Sequence, residues 1–566
     1  MRYGWLLILL LLFPITYAAE YPNWNIVSDS LLLEFKTSTD ITIEHTSSDY
    51  IIKNMNLSLS FFPRTDYRQN LATFQVTPTN YQKGESLIFD WDNPSKENYE
   101  IKIDSNIRTI NIPKKIEKKI PFPMVEIPDE YRLYLEETNL MDYSDEAIIE
   151  LASDLAEGED DLYELVFKIA VWTNENIKYS LDTITAEASL PASWVLTNRR
   201  GVCDELTNLF ISLVRTLDIP AKFVAGISYT ESELFDENWG THGWAEVYMP
   251  GHGWVPFDVT YGQMGNIDPT HLKLKESYDS DKTSSSFEWL GHEVQVTSSG
   301  IKMDTQVLDY GNKIPDRINI VTSLIKDSVG FGSYDILQAK LKNLNDYYLP
   351  VRVSVSKTQA MDGITPLEII DPLTRYILLK PNEEKDVFWR VKVSDKLFNN
   401  NIYTLPILVY TDFNETSLVN LKSKLGDVKL SQKDVQELLD ALTQEELKVY
   451  SKKINLECKA DSDIYYTEEN VKINCSIKNN GNTNIKEIDV CLDDDCKKIE
   501  LKISQERQIV FTQTNIEPKV YEKVITAKNN EISKTDSVNF VVDEKPSLKI
   551  TETSIPEIIK FSEPFD

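Results

Sequence analysis

Arg200-Gly201-Val202-Cys203-Asp204-Glu205-Leu206-Thr207-Asn208-Leu209-Phe210-Ile211-Ser212-Leu213-Val214-Arg215 is the stretch on which the reading of this chain turns. Leu206, Leu209, Phe210, Leu213, Val214 and Leu217 recur at three- and four-residue spacing, which makes one helix face apolar and puts Cys203 at its start. Pro220 ends the run, because proline lacks the N–H that the next turn would need. Upstream, residues 145–155 and 161–177 carry the same spacing, with Leu162, Leu165, Val166, Ile169, Ala170 and Trp172 on one stripe. Downstream the pattern shortens to strand candidates at 222–229, 243–249 and 254–259, with Pro250-Gly251-His252-Gly253 as the turn between the last two. Helices followed by an antiparallel sheet predict an α+β core.

A thiol at a helix start meets unpaired N–H groups and the positive end of the helix dipole, which favour the thiolate. Arg199 and Arg200 add to that expectation, whereas Asp204 and Glu205 oppose it. His242 heads the strand Gly243-Trp244-Ala245-Glu246-Val247-Tyr248, and Asp258 follows it by sixteen residues, a spacing that fits neighbouring strands of a hairpin. Taken together, the three side chains make a device for acyl chemistry. His242 takes the Cys203 proton, Asp258 holds the ring in the useful tautomer, and the thiolate attacks an amide or ester carbonyl. The Cys203 backbone N–H is one oxyanion donor, and Trp194 and Tyr179 are candidates for a second. Each residue also has a plainer reading: Cys203 as a small buried hydrophobe, His242 as a strand-edge histidine, Asp258 as a turn former. His252 reads as a turn residue. Trp239, Trp244 and Trp254 either wall a cleft or pack a core, and His271 reads as core support with no assigned role.

Arg200-Gly201-Val202-Cys203, the stretch Leu217-Asp218-Ile219-Pro220-Ala221-Lys222-Phe223-Val224-Ala225-Gly226, the strand from His242 to Tyr248, Gly253-Trp254 and Phe257-Asp258-Val259-Thr260 together resemble the core of the transglutaminase-like superfamily. Ile267-Asp268-Pro269-Thr270-His271-Leu272 is similar to the tail of its prokaryotic members, and the whole-chain layout resembles secreted archaeal ones. The resemblance implies a papain-like fold with Cys203 as nucleophile, His242 as base and Asp258 as orienting acid. It implies a transglutaminase-like cysteine protease, amidase or acyltransferase acting on a protein or peptide substrate, the cell envelope being one source. No cofactor or metal is expected: the acidic run 157–161 lacks the ligand spacing of a calcium-binding hand. The competing reading is a cell-surface adhesion or scaffold protein that uses the core for binding.

The 566 residues exceed one hydrophobic core, and the predicted organisation is multidomain, with the core flanked by β-sandwich, Ig-like modules. Residues 1–19 read as a signal peptide, cleaved or kept as an anchor: Arg2 leads an apolar run that ends at Thr16-Tyr17-Ala18. Residues 20–120 read as a β-rich domain, 121–295 as the core, and 300–415 as an Ig-like module. A helical insert is predicted at 420–453, capped by Ser431 and carrying Val435, Leu438, Leu439 and Leu442. A second Ig-like module follows at 454–543, and 546–566 reads as the start of a third. Val329-Gly330-Phe331-Gly332-Ser333, leading through a strand to Lys342-Asn343, echoes Ile464-Tyr465-Tyr466-Thr467-Glu468, which leads to Lys478-Asn479, and Ile559-Lys560-Phe561-Ser562-Glu563 opens the pattern again.

A net charge of −31 argues against a nucleic-acid partner, whose phosphates need cations. Cys458, Cys475, Cys491 and Cys496 fall in one 39-residue window. In an exported chain this reads as two disulfides, Cys458 with Cys475 and Cys491 with Cys496, in preference to a zinc site, and it leaves Cys203 free. The predicted location is secreted or cell-surface.

Overall fold

The protein is described by a computed structural model covering residues 27–551, apart from 184–188, 282, 359–362, 444–447, 548 and 550. The leader and the final echo at 559–563 lie outside the described residues. Among the described residues no helix is long and apolar enough to cross a membrane. The chain forms two compact units, one of residues 27–155 and 161–447, the other of 156–160 and the segment from 448 onward.

In the first unit, alternating burial builds an N-terminal sandwich. Ser30–His45 buries Leu31, Leu33, Phe35, Ile41 and Ile43 on one face, as a period of two requires. It pairs with Asn98–Ile110, which pairs with Gln69–Thr77. The facing sheet joins Ile51–Leu59, Leu87–Asp92 and Tyr81–Lys83. Three strands from much later in the chain complete the two layers. Ser285–His292 extends the facing sheet, and Val294–Ser298 and Lys302–Tyr310 both pair with Ser30–His45. The boundaries read at 295 and 300 therefore fall inside this sandwich. Alternation shows that a segment is a strand but not which strand it joins. Here the partner is set by burying Val296 in the same core as Ile43 and Phe35.

The core follows the helices-then-sheet order. Glu146–Ala156, Leu162–Asn176, Ala192–Asn198 and Cys203–Arg215 are helical. The sheet runs, edge to edge, Gln263–Met264, Gly253–Asp258, Trp239–Met249, Ala221–Tyr229 and Leu272–Ser277. Cys203–Arg215 is buried along almost its whole length, so its apolar stripe packs on the other helices and on the sheet. Asp161 caps Leu162–Asn176 by accepting the Tyr163 N–H at 3.0 Å. The turn at Gly251 and Gly253 uses φ of 79° and 74°, a conformation open to glycine, and the His252 N–H closes it on the Met249 carbonyl. The sandwich braces the far side of the sheet: Arg68 Nη2 donates to the carbonyls of Ile267 and Asp268 at 2.7 and 2.8 Å.

A two-sheet module from Ile318 to Lys424 completes this unit around buried Trp389, so its last strand, Thr416–Lys424, runs into the range read as helical insert. The helix there is Gln432–Leu442, with a capping box between Ser431 and Asp434. The second unit is a sandwich of Ile454–Ala460, Val471–Asn479 and Glu506–Gln513 against a five-stranded sheet. Cys458 pairs with Cys475 and Cys491 with Cys496, each disulfide joining directly opposed residues of antiparallel strands.

Candidate active site

Glu205 builds the start of the cysteine helix. Its carboxylate accepts the Val202 N–H at 2.8 Å and the Leu190 N–H at 3.2 Å, and so fixes the loop that delivers Cys203. Thr207, one turn on, donates to the Gly243 carbonyl at 3.3 Å and ties the helix to the strand carrying His242. Gly243 makes that approach possible. A Cβ there would meet Asp204 Oδ1 at 2.5 Å and Phe223 Cζ at 2.6 Å. Cys203, Asp204 and His242 consequently line one cavity of about 210 Å³, floored by Phe223 and Phe61. A second cavity of about 300 Å³ also reaches His242 and is walled by Tyr179, Phe235, Leu234 and Tyr261.

Antiparallel pairing of Trp239–Met249 with Gly253–Asp258 brings Asp258 beside His242. His242 Nε2 and Asp258 Oδ2 are 2.7 Å apart, and both side chains are buried. With Nε2 committed, Nδ1 is the ring nitrogen available for exchange with a thiol. Tyr261 stacks on the imidazole, centroids 4.5 Å apart and planes 21° from parallel, and locks its orientation. Asp258 Oδ1 accepts the backbone N–H groups of Thr260 and Tyr261 at 2.9 and 3.0 Å. Burial acts to raise the Asp258 pKa, but His242 and His271 outweigh it and hold the carboxyl well below the usual range.

The thiol differs from the sequence expectation. Burial pushes the Cys203 pKa well above the ordinary thiol range. The Asp204 carboxylate, 3.6 Å from Sγ, adds to the rise, and a hydrogen bond with the Gly243 backbone only partly offsets it. The two arginines that were expected to help are engaged elsewhere: Arg199 lies 4.9 Å from the centre of the Trp172 ring and Arg200 5.9 Å from that of Trp194. Both effects favour the protonated thiol, a setting that suits a base taking the proton as the sulfur attacks.

The other candidates sort cleanly. Tyr179 lies beside the cysteine loop, since Lys178–Tyr179 pairs with Arg200–Gly201. Burial and the nearby Cys203 raise its pKa and keep the phenol a donor. Trp194 lies on Ala192–Asn198. Trp244 is core, packed with Val224 and Ile267. Trp254 meets Tyr131 and Tyr134 edge-on. The residue that sequence reasoning left without a role is His271. Its Nε2 lies 2.9 Å from Asp258 Oδ2, the same oxygen that His242 uses. His242, Asp258 and His271 also form a group of metal-ligand type, their atoms within 4.8 Å of one another, but the oxygen at its centre already accepts two imidazole N–H groups.

Residues 149–259 match the family described as the transglutaminase-like superfamily, and this core carries Cys203, His242 and Asp258. An uncharacterized protein of Bacillus subtilis (strain 168), YebA, is 24% identical over 223 residues, 37% of this chain and 28% of that protein. The chain thus spans less than a third of the length of that curated relative. Among solved structures, a candidate cysteine protease from Cytophaga hutchinsonii is 19% identical, with 49% of this chain and 91% of that one covered and a TM-score of 0.36. Red sea bream transglutaminase is 10% identical, with 89% and 94% covered and a TM-score of 0.21.

Proposed function

From a core of the transglutaminase-like superfamily as premise, we propose that this protein is a cysteine-dependent acyl-transfer enzyme acting on amide bonds of protein or peptide substrates outside the cytoplasm. The observation that carries the reading is the buried 2.7 Å contact of His242 with Asp258 in a cavity that His242 shares with Cys203. Cys203 is the nucleophile, His242 the base and Asp258 the group that orients it. As Sγ bonds to the substrate carbonyl carbon, the thiol proton passes to His242 Nδ1. The Cys203 backbone N–H, at the open start of its helix, and the Tyr179 phenol are the donors available to the oxyanion. Collapse breaks the C–N bond, the proton on His242 goes to the leaving nitrogen, and a thioester on Cys203 remains. Water or an amine then attacks the thioester and regenerates the thiol. The second cavity reaches His242 from the side of Tyr179 and Phe235 and supports entry of that second reactant. The two disulfides support a location outside the reducing cytoplasm.

The test is intact mass spectrometry of the folded protein with a library of amide substrates. An acyl adduct on Cys203 that is absent from Cys203→Ala is the expected result. No adduct, and no product that depends on Cys203, across peptide, isopeptide and glutamine-containing substrates would overturn the reading.

A further inference from the structure

His271 immediately precedes the edge strand Leu272–Ser277 and follows the turn Ile267-Asp268-Pro269-Thr270, which the N-terminal sandwich holds through Arg68. The Thr109 hydroxyl donates to the Pro269 carbonyl of the same turn. This places a buried imidazole against the buried Asp258 carboxylate. A carboxylate offers about four lone-pair sites, and all four are used here. Oδ1 takes the Thr260 and Tyr261 backbone N–H groups, and Oδ2 takes His242 at 2.7 Å and His271 at 2.9 Å. Three of these donors are parts of the frame; His242 is the one that must change its protonation during turnover.

On its other side, His271 Nδ1 faces Asp268 Oδ1 at 3.4 Å, an ion-pair distance. Asp268 is itself pinned by the Thr270 N–H and by Gln263 Nε2, both at 2.7 Å. The order His242, Asp258, His271, Asp268 is therefore an alternating row of base, acid, base, acid. The other groups facing His271 are the Tyr261 and Trp244 rings, with centroids at 5.7 and 5.3 Å.

We propose that His271 is a positioning residue for His242: by donating to the Asp258 oxygen that His242 also uses, it fixes that carboxylate and limits the negative charge Asp258 lends to the base. The proposal rests on the catalytic reading of Cys203, His242 and Asp258. It gives a physical reason for a buried cationic imidazole in this place. Burial alone would lower the His271 pKa, but Asp258 and Asp268 raise it to about 9, which favours the imidazolium at neutral pH. Because His271 takes part of the Asp258 Oδ2 charge, His242 does not have that oxygen to itself.

The experiment uses the full chain with histidine labelled in the ring nitrogens, read by NMR across pH, beside kcat/KM on any substrate that acylates Cys203. In the native protein His271 carries protons on both nitrogens at pH 7. His271→Gln keeps a donor and removes the charge. In that variant the His242 titration should move up by about one pH unit, as loss of a nearby cation requires. The acid limb of kcat/KM should move with it, while KM changes less than twofold. His271→Leu removes donor and charge together and should lower kcat by at least tenfold further. A neutral His271 in the native protein would overturn the proposal, and so would an unmoved His242 titration in folded His271→Gln. Activity lost only in proportion to unfolded protein would do the same, because a structural pin predicts that pattern. The titrations need no turnover. A shifted His242 in a protein that never acylates Cys203 would uphold the coupling and refute the enzymatic reading.

Discussion

Gly243 and Asp204 stand so close that a single methyl group on Gly243 would come to 2.5 Å of the Asp204 carboxylate. The contact sets how near the cysteine helix comes to the histidine strand, and so sets the reach between Cys203 and His242. Phe223 blocks the other direction at 2.6 Å, so the added carbon cannot be relieved by a small rotation. Gly243→Ala should therefore cost about 1–3 kcal/mol of stability, the usual range for overpacking. It should also lower turnover by more than the loss of folded protein explains. Denaturant titration beside kcat on the folded fraction checks both parts.

The carboxylate of Asp204 also sets the behaviour of the thiol. A negative charge 3.6 Å from Sγ disfavours the thiolate, and burial acts in the same direction. Alkylation of native Cys203 should accordingly be slow at neutral pH and rise only above the range of an ordinary thiol, near 8.5. Asp204→Asn removes the charge and keeps the shape, so its alkylation profile should move to lower pH. The rate of iodoacetamide labelling against pH, followed by mass, reads both profiles. An unchanged profile in Asp204→Asn would show that burial alone raises the thiol pKa.

A helix start is a local feature, and from Arg199 to Glu205 it can be read residue by residue. Which neighbours reach the sulfur is not local. Arg199 and Arg200 turn away onto Trp172 and Trp194, while Asp204 turns in. The same division runs through the rest of the chain. Cys203, His242 and Asp258 were legible as candidates because each sits in a short stretch that reads residue by residue. His271 stands in the Asp268-Pro269-Thr270-His271 stretch, but its partner is an oxygen thirteen residues upstream that only the folded sheet brings within reach. A second histidine soon after a buried motif aspartate was the available signal. The strands 285–310 alternate as strands should, yet their partners lie some 250 residues earlier. The faint echo between modules has one structural counterpart among the described residues. Asn343 Nδ2 donates to the Tyr347 carbonyl and its Oδ1 accepts from the Asn345 N–H; Asn479 does the same with Thr483 and Gly481.

Glu246, on the strand carrying His242, makes a buried ionic centre with Lys222 at 3.1 Å and Lys273 at 3.0 Å. Burial alone would raise its pKa, but the two lysines hold it down at about 2. A carboxyl depressed in the folded state contributes stability that is present above its unfolded pKa, near 4.3, and lost as pH falls toward 2. Glu246→Gln leaves two buried ammonium groups short of a partner and should cost about 3 kcal/mol at pH 7. Denaturant midpoints of the two proteins should converge between pH 4 and pH 2. A gap that persists at pH 2 would assign the cost to packing instead.

The disulfide Cys458–Cys475 closes a loop of 17 residues across opposed strands. Loops of this size are worth about 3 kcal/mol through the unfolded chain. Replacing both cysteines with serine should destabilise the sandwich of residues 454–543 by that order, seen as a lower midpoint in its own protease-resistance transition. Alkylation of Cys203 should be unaffected, since that residue belongs to the other compact unit. A peptide map joining Cys458 to Cys491 would contradict the pairing itself.

The three residues of the proposed mechanism predict three different losses. Cys203→Ala removes the atom that bonds to substrate, so adduct and turnover should both disappear while the fold, measured by thermal melting, is kept. His242→Ala removes the base from a thiol that is neutral at rest, and general-base catalysis is typically worth about 10²–10⁴ in rate. Its alkylation profile should shift to higher pH as well. Asp258→Ala should lower kcat less than either, because that residue never bonds to substrate, yet it should lower stability most. Its removal leaves His242, His271 and the N–H groups of Thr260 and Tyr261 without the oxygens they share, and stranded buried donors cost about 1–3 kcal/mol each. Kinetics and melting on the same preparations separate the cases. Should His242→Ala turn over substrate at the native rate with an unchanged alkylation profile, the imidazole is no base here and the mechanism fails at its first proton transfer.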